Sequence, residues 1–436
     1  MLLKFKTNRI VPRYVILFSI LLISSWVFFN KLGTQPSNLN PDEADTLQTY
    51  LIAKHQGEPD INSFNWNGAP AINMYLIGWT WELFGRSVAG LRTVSAVMGI
   101  LIIGMTFLLI TTITRRAFLA AAMSLALATN PWFLNFTRSG WENSWNGLPV
   151  LLIVRELYLL REKHNTIRSY WLLITGIVLG FYFYHPGKLF APVVFAILLI
   201  HRLWKKYPSY WHIFMMSAIV FALVSPQLYS MVYSAFRPGG YDSWDRIKAI
   251  SVYNSTDNTY GIAQSSIRNT RAFLFFEQKL FQESPNGRYI HLSDRPVLLP
   301  LVVVFIIGLI YCILRFPLIA LFYFLIALPV QIFSKETPNA ARAVHIVPLL
   351  FIIASWGIHF VIQRIHAWIQ VGFVLGLIVI SVYQYRSYVS WIQDPRTLSA
   401  RNPAVDIGVY DQWLEDIEKN AREGKRHLPV HMWLSK

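Results

Sequence analysis

The run Val15-Ile16-Leu17-Phe18-Ser19-Ile20-Leu21-Leu22-Ile23-Ser24-Ser25-Trp26-Val27-Phe28-Phe29 holds no charged residue. Lys4, Lys6, Arg9 and Arg13 precede it, and Asn40-Pro41-Asp42-Glu43-Ala44-Asp45 follows it shortly afterwards. A spanning helix needs roughly 20 predominantly apolar residues, and basic residues mark the cytoplasmic end of a span. The stretch therefore reads as a first membrane helix whose N-terminus stays inside and whose acidic cluster emerges outside. A basic N-terminus before an apolar run also suits a signal peptide. Here no small-residue cleavage site follows and further apolar runs do, so a retained helix is expected.

The pattern repeats along the chain. Apolar runs centre near residues 20, 100, 126, 152, 178, 196, 220, 306, 325, 352 and 378. This predicts an all-α polytopic membrane protein with about eleven transmembrane helices. Of the 436 residues, 54% are hydrophobic and only 14% charged, more apolar sequence than a soluble domain of this size uses. The formal net charge of +16 is spread through short clusters between apolar runs rather than along one stripe, which argues against nucleic acid. Arg115 and Arg116 follow the second run, Arg155, Arg161, Lys163 and Arg168 flank the gap after the fourth, and Arg202, Lys205 and Lys206 follow the sixth. Arg315 follows the eighth and Arg364 the tenth. If the spans alternate, all of these fall on one side, the cytoplasmic one. Cys312 is the single cysteine and lies within an apolar run, so neither a disulfide framework nor a cysteine metal site is expected.

The long connections then lie outside, at about residues 30–86 and 237–296, with a tail at 391–436; residues 1–390 form the membrane unit. In the first connection Asn40 suits a helix cap, Pro41 the first helical position and Glu43 a capping-box acid. Ala71 to Phe84 is apolar and aromatic but short for a span. With Trp66, Trp79 and Trp81 nearby it reads as an interfacial helix. Tyr410 to Glu423 reads as a charged surface helix.

Candidate chemistry gathers on the outer side. Asp42, Glu43 and Asp45 sit in a chain poor in acids. Adjacent helical residues point about 100° apart, so Asp42 and Glu43 face different ways, whereas Asp42 and Asp45 can share a face. A carboxylate at a helix N-terminus tends to stay ionised, which suits a base; the same acids would also serve a helix that only needs its first turn complemented. Arg138, Lys188 and Arg342 are cations at outer span ends, against the positive-inside tendency, with Arg92 a weaker fourth. Each alone could snorkel to headgroups; together they favour an anionic ligand, and phosphate suits them best. Glu142, Tyr184 and His185 lie beside these cations. His185 and His291 could ligate a divalent metal with Glu43 or Glu142, although no His-Glu-x-x-His spacing exists. Phosphate loops and nucleophile elbows of the Gly-x-Ser-x-Gly type are absent.

These residues resemble the dolichyl-phosphate-mannose-protein mannosyltransferase family of the GT-C superfamily, which includes the lipid A aminoarabinose transferases. The resemblance runs over about residues 11–390. It rests on Pro41-Asp42-Glu43, then Pro70, Tyr75 and Phe84-Gly85 before Arg92. Asn130-Pro131-Trp132, Phe136-Thr137-Arg138 and Glu142 are similar to the family's "SPW…FSR…E" element. Tyr182 to Pro192 is similar to "Y-x-Y…R-x-x-P", and Pro338 to Pro348 to "P-N-A-x-R-A…P". Two departures stand out: Gly68-Ala69-Pro70 replaces a Lys-Pro-Pro found in some relatives, and Lys188 stands where an Arg is common. The resemblance implies a GT-C-like catalytic domain in the plasma membrane that moves a sugar from a polyprenyl phosphate, with inversion, to a protein, lipid or glycan hydroxyl outside the cell. Asp42 then matches the catalytic acid, with Glu43 beside it. Arg138, Glu142, Lys188, Arg342, Tyr184, His185 and Arg92 are the expected substrate-binding residues. The rival readings are a polyprenyl-diphosphate-dependent ligase or polymerase, and a lipid-sugar flippase or transporter. A flippase would rather place ionisable groups at mid-membrane.

Overall fold

The computed structural model describes residues 10–56, 70–161, 167–236, 262–282, 288–291, 295–329, 338–394 and 405–423. A helix covers the centre of every apolar run. In chain order the helices are α1 (Ile10–Phe29), α2 (Pro41–Gln56), α3 (Ala71–Leu83), α4 (Val88–Thr114), α5 (Ala117–Ala128) and α6 (Pro131–Thr137). Then come α7 (Gly147–Arg161), α8 (Ile167–Phe183), α9 (Phe190–Lys205), α10 (Tyr210–Phe236), α11 (Ile262–Phe275) and α12 (Gln278–Gln282). The last are α13 (Leu299–Arg315), α14 (Pro317–Ala327), α15 (Ala340–Ala343), α16 (Val347–Ile362), α17 (Ala367–Gln393) and α18 (Tyr410–Arg422). Among the described residues, 5 helical stretches are long and apolar enough to cross a membrane, or up to 6 if α5 and α6, bent by 67°, form one broken span. Arg13–Phe29, Tyr170–Phe183, Leu299–Arg315 and Pro317–Ala327 are apolar but shorter. Helix α7 is set apart by Arg155, Glu156 and Arg161. The chain is an integral membrane protein.

Helix α16 runs through the centre, its residues almost all buried, while α10 and α17 show much of their surface. A spanning helix has little hydrophobic drive to meet another within lipid, so close backbone contact does that work. Gly308 on α13 and Gly357 on α16 allow it: a side-chain carbon at Gly308 would strike the Ile353 carbonyl, and one at Gly357 the Val304 carbonyl.

One end of the bundle collects the segment after α1, the α6–α7 connection, the α8–α9 turn and the start of α15. The opposite end holds Arg116, which donates to Gln370 Oε1 at 2.7 Å, while Gln370 in turn donates to the Ile362 carbonyl at 2.9 Å. At the first end a two-stranded antiparallel ladder joins β1 (Asn38–Leu39) to β2 (Val405–Asp406). Helix α3 bears out the helical reading of Ala71 to Phe84, burying Met74, Ile77 and Trp81 and exposing Trp79 and Leu83. Trp66 and the Gly68-Ala69 departure lie outside the described residues.

Candidate active site

The acidic cluster forms the first turn of α2 in the way its sequence dictates. Asn40 Oδ1 accepts from the amides of Asp42 (2.9 Å) and Glu43 (3.0 Å), and Glu43 Oε2 accepts from the Asn40 amide at 3.0 Å. This is a reciprocal capping box. The two adjacent acids then part. Glu43 Oε1 accepts from Arg92 Nε at 2.9 Å and from the Gly140 amide at 2.7 Å, with both side chains sealed from solvent. Asp42, also buried, pairs with Arg288. The Arg288 guanidinium lies over the rings of Trp141, at 5.3 Å, and Tyr289, at 5.4 Å.

Two of the expected phosphate-binding cations are employed elsewhere. The Arg138 Nη atoms donate to the carbonyls of Val27 (2.8 Å), Phe28 (2.9 Å), Asn30 (2.8 Å) and Gln35 (3.1 Å). Arg138 thus satisfies the C-terminal carbonyls of α1, groups that have no intrahelical partner. Arg92, beyond Glu43, donates to the carbonyls of Leu32 (3.2 Å), Pro36 (3.0 Å) and Asn38 (2.8 Å). A buried guanidinium needs partners for its donors, and here most of the Nη partners are backbone carbonyls of residues 27–38, on the way to Asp42. In this arrangement neither guanidinium turns its Nη donors to a ligand.

Lys188 and Arg342 are placed differently. Both are half-buried at the same end of the bundle. Lys188 Nζ lies 5.9 Å from the Phe181 ring centroid, at the end of a 3-10 turn, His185–Leu189. Arg342 sits on α15, whose cap is Asn339 Oδ1, 3.1 Å from the Arg342 amide nitrogen. The α6–α7 connection ties these elements to the Asp42 loop. Gly140 touches Glu43, and Trp141 carries Arg288. Asn143 Nδ2 donates to the Ala341 carbonyl at 3.2 Å, and Asn146 Nδ2 to the Tyr184 carbonyl at 3.1 Å. Asn73 on α3 donates to the neighbouring Phe183 carbonyl. Gly187 must be glycine here, because a side-chain carbon would meet Asn146 Nδ2 at 2.7 Å and collide with the Gly180 carbonyl.

The "SPW"-like element has a structural explanation as well. Asn130 caps α6 through Oδ1 (3.1 Å from the Phe133 amide) and its Nδ2 donates to the Pro296 carbonyl at 3.1 Å, while Trp132 Nε1 donates to the Ala340 carbonyl at 3.0 Å. Glu142 is buried beside these residues, and loss of solvent pushes its carboxyl up to about 7. Tyr184 and His185 are half-buried with ring centroids 6.0 Å apart. His291 packs against Trp391, with ring centroids 6.0 Å apart. Among the described residues no three His, Cys, Asp or Glu side chains gather as a metal would require, so the divalent-metal set of His185, His291, Glu43 and Glu142 is not assembled.

Sequence reasoning missed Arg288. It lies in the long connection 237–296 among several other arginines, and no spacing sets it apart. The linking asparagines, Asn73, Asn143 and Asn146, were missed too, since amides that serve distant carbonyls leave no local pattern.

A carboxylate next to a cation, within one connected cluster that also carries Lys188 and Arg342, is an arrangement able to take a proton and hold an anion together. Known proteins resemble the chain in part of its sequence and in its fold. Residues 69–229 match the dolichyl-phosphate-mannose-protein mannosyltransferase family. The apo structure of ArnT from Cupriavidus metallidurans superposes with a TM-score of 0.55 at 15% identity, covering 95% of this chain and 78% of that one. The fold is GT-C. ArnT bound to undecaprenyl phosphate gives a TM-score of 0.53 at 14% identity over the same 95% and 78%. An oligosaccharyltransferase from Archaeoglobus fulgidus, in a complex with Zn and sulfate, gives 0.56 at 13% identity, covering 94% of this chain but 57% of that one. No curated protein matches the chain significantly. The chain is thus similar in sequence to the mannosyltransferase family over residues 69–229, and it shares its fold with these solved structures over 94–95% of its length.

Proposed function

We propose that this protein is a membrane glycosyltransferase that moves a sugar from a polyprenyl phosphate to a hydroxyl acceptor, with inversion, at the extracytoplasmic face of the plasma membrane. The observation that carries this reading is the Asp42–Arg288 pair, joined through Trp141 and the α6–α7 connection to the elements bearing Lys188 and Arg342. In this reading Asp42 takes the proton of the acceptor hydroxyl as its oxygen bonds to the anomeric carbon. The bond from that carbon to the phosphate oxygen breaks in the same step, and the electron pair leaves with the phosphate. A single displacement through an oxocarbenium-like transition state inverts the centre. Phosphate is a good leaving group, so positive charge aimed at it helps more than a proton donor does. Lys188 and Arg342 supply that charge, and Arg288 moves between Asp42 and the departing phosphate. Glu43, Arg92 and Arg138 hold the loop on which Asp42 stands. The orientation follows the basic clusters, with about eleven spans and the N-terminus inside.

The test is to reconstitute the protein in liposomes with labelled polyprenyl-phosphate sugars and envelope acceptors. The reading expects label to leave the lipid, polyprenyl phosphate to accumulate and the product anomer to be inverted. Label that crosses the bilayer still attached to its lipid would make the protein a flippase, and consumption of diphosphate-linked donors alone would make it a ligase or polymerase.

A further inference from the structure

We infer that the C-terminal segment 405–422 is a strap that positions Asp42, an inference resting on the glycosyltransferase reading for its catalytic meaning. Strand β2 pairs with β1, Asn38 opposite Asp406 and Leu39 opposite Val405, and the Ile407 amide donates to the Ser37 carbonyl at 3.1 Å. Strand β1 ends just before Asn40, the residue that caps Asp42 and Glu43. The loop is therefore gripped on two sides. Arg92 holds the Asn38 carbonyl at 2.8 Å, and β2 supplies the neighbouring ladder.

A two-stranded ladder of this length has little stability of its own, so something else must hold β2 in place. Helix α18 does. It buries Tyr410, Trp413, Ile417 and Ala421, a helical stripe that joins one apolar cluster with Leu47 and Leu51 of α2 and Trp81 of α3. Trp81 Nε1 donates to the Tyr410 hydroxyl at 2.7 Å, and Arg86 Nη1 pairs with Glu418 at 3.0 Å. The strap thus binds the body of the Asp42 helix with α18 and the approach to it with β2. A carboxylate displaced by about 1 Å can cost on the order of 100-fold in rate, so the docking of α18 reaches the chemistry through Asn40. The cations Lys188 and Arg342 stand on other elements, and donor affinity does not depend on the strap.

The experiment uses the full chain in proteoliposomes. Tyr410→Phe removes the hydroxyl that accepts from Trp81 and donates to the Arg86 carbonyl, and Trp413→Ala removes the main apolar anchor. Hydrogen exchange is read over residues 37–46 with α16 as the reference, alongside transfer rate and the Kd for undecaprenyl phosphate. The strap predicts at least about tenfold faster exchange in 37–46 for Trp413→Ala, a smaller rise for Tyr410→Phe, and unchanged exchange in α16. Transfer falls about 10- to 100-fold through kcat, while the lipid Kd stays within about twofold.

Rescue is the decisive arm. Asn38 and Asp406 face each other as a non-hydrogen-bonded pair, the closer kind in an antiparallel ladder, and Cys312 is buried out of reach. Adding Asn38→Cys and Asp406→Cys to Trp413→Ala restores protection and transfer when oxidised and loses both on reduction. Unchanged exchange in 37–46, full transfer despite faster exchange, or failure of the disulfide to restore either overturns the strap. If the unmodified protein transfers from no donor, the glycosyltransferase reading fails, and exchange with its disulfide rescue still decides whether the segment holds the loop.

Discussion

Glu43 and its neighbour in sequence, Asp42, bind different arginines: Glu43 bonds Arg92 with neither side chain exposed, while Asp42 pairs with the part-exposed Arg288. The 100° step between adjacent helical residues sends one acid to a sealed arginine and the other to a part-exposed one.

Removing one partner of a buried pair strands the other charge, at about 3–5 kcal/mol. Arg92→Met is therefore expected to lower thermal stability strongly. Arg92→Met with Glu43→Gln recovers part of the loss, because no buried charge is left alone. Recovery stays partial, since the carbonyls of Leu32, Pro36 and Asn38 still lack their donor. Thermal unfolding of the three proteins in detergent measures this.

Arg138 differs from Lys188 and Arg342 in what it binds. A lysine at 138 has three donors on one nitrogen and cannot serve four spread carbonyls, so Arg138→Lys destabilises the fold. Below its unfolding temperature it should bind undecaprenyl phosphate within about twofold of the unchanged protein. Lys188→Ala and Arg342→Ala should each weaken that binding about tenfold or more, the worth of a charge-assisted contact of about 1.5–3 kcal/mol. Equilibrium binding of the labelled lipid separates the two classes.

Gly187→Ala places a carbon against Asn146 Nδ2 and the Gly180 carbonyl. Overpacking of this kind costs about 1–3 kcal/mol, and the strain falls beside Lys188. Both unfolding temperature and lipid affinity are expected to drop, whereas Gly372→Ala, where no atom lies within 4 Å, should change neither.

Glu142 sets a pH dependence. Burial disfavours the charge and pushes its folded carboxyl up to about 7, above the ordinary carboxylate range. A raised carboxyl contributes its full share to stability below the unfolded value and loses it as pH rises through the folded one. Stability should therefore decline from about pH 5 to pH 8, by about 3 kcal/mol when complete. Glu142→Gln, which cannot ionise, should flatten that slope. Unfolding temperature of both proteins across this range is the check.

The bundle was legible in the sequence because lipid leaves helices few alternatives: each apolar run became a helix, and the capping box at Asn40 formed as its residues required. That Asp42, Arg138, Lys188 and Arg342 share one end of the bundle was legible for the same reason. The work each cation does was not. Arg138 and Arg92 look like ligand-binding cations in a linear reading, yet they serve carbonyls of residues 27–38, and only the folded loop shows where those carbonyls go. The α18 strap was read as a charged surface helix, since its buried stripe of Tyr410, Trp413 and Ile417 has meaning only once α2 and α3 are beside it.

Asp42→Asn tests the central claim most directly. The substitution keeps the size of the side chain and removes the base. Transfer from a labelled polyprenyl-phosphate sugar should fall about 100- to 10,000-fold, with the Kd for undecaprenyl phosphate little changed. Near-full transfer by the asparagine protein would contradict the role of Asp42 and with it the mechanism.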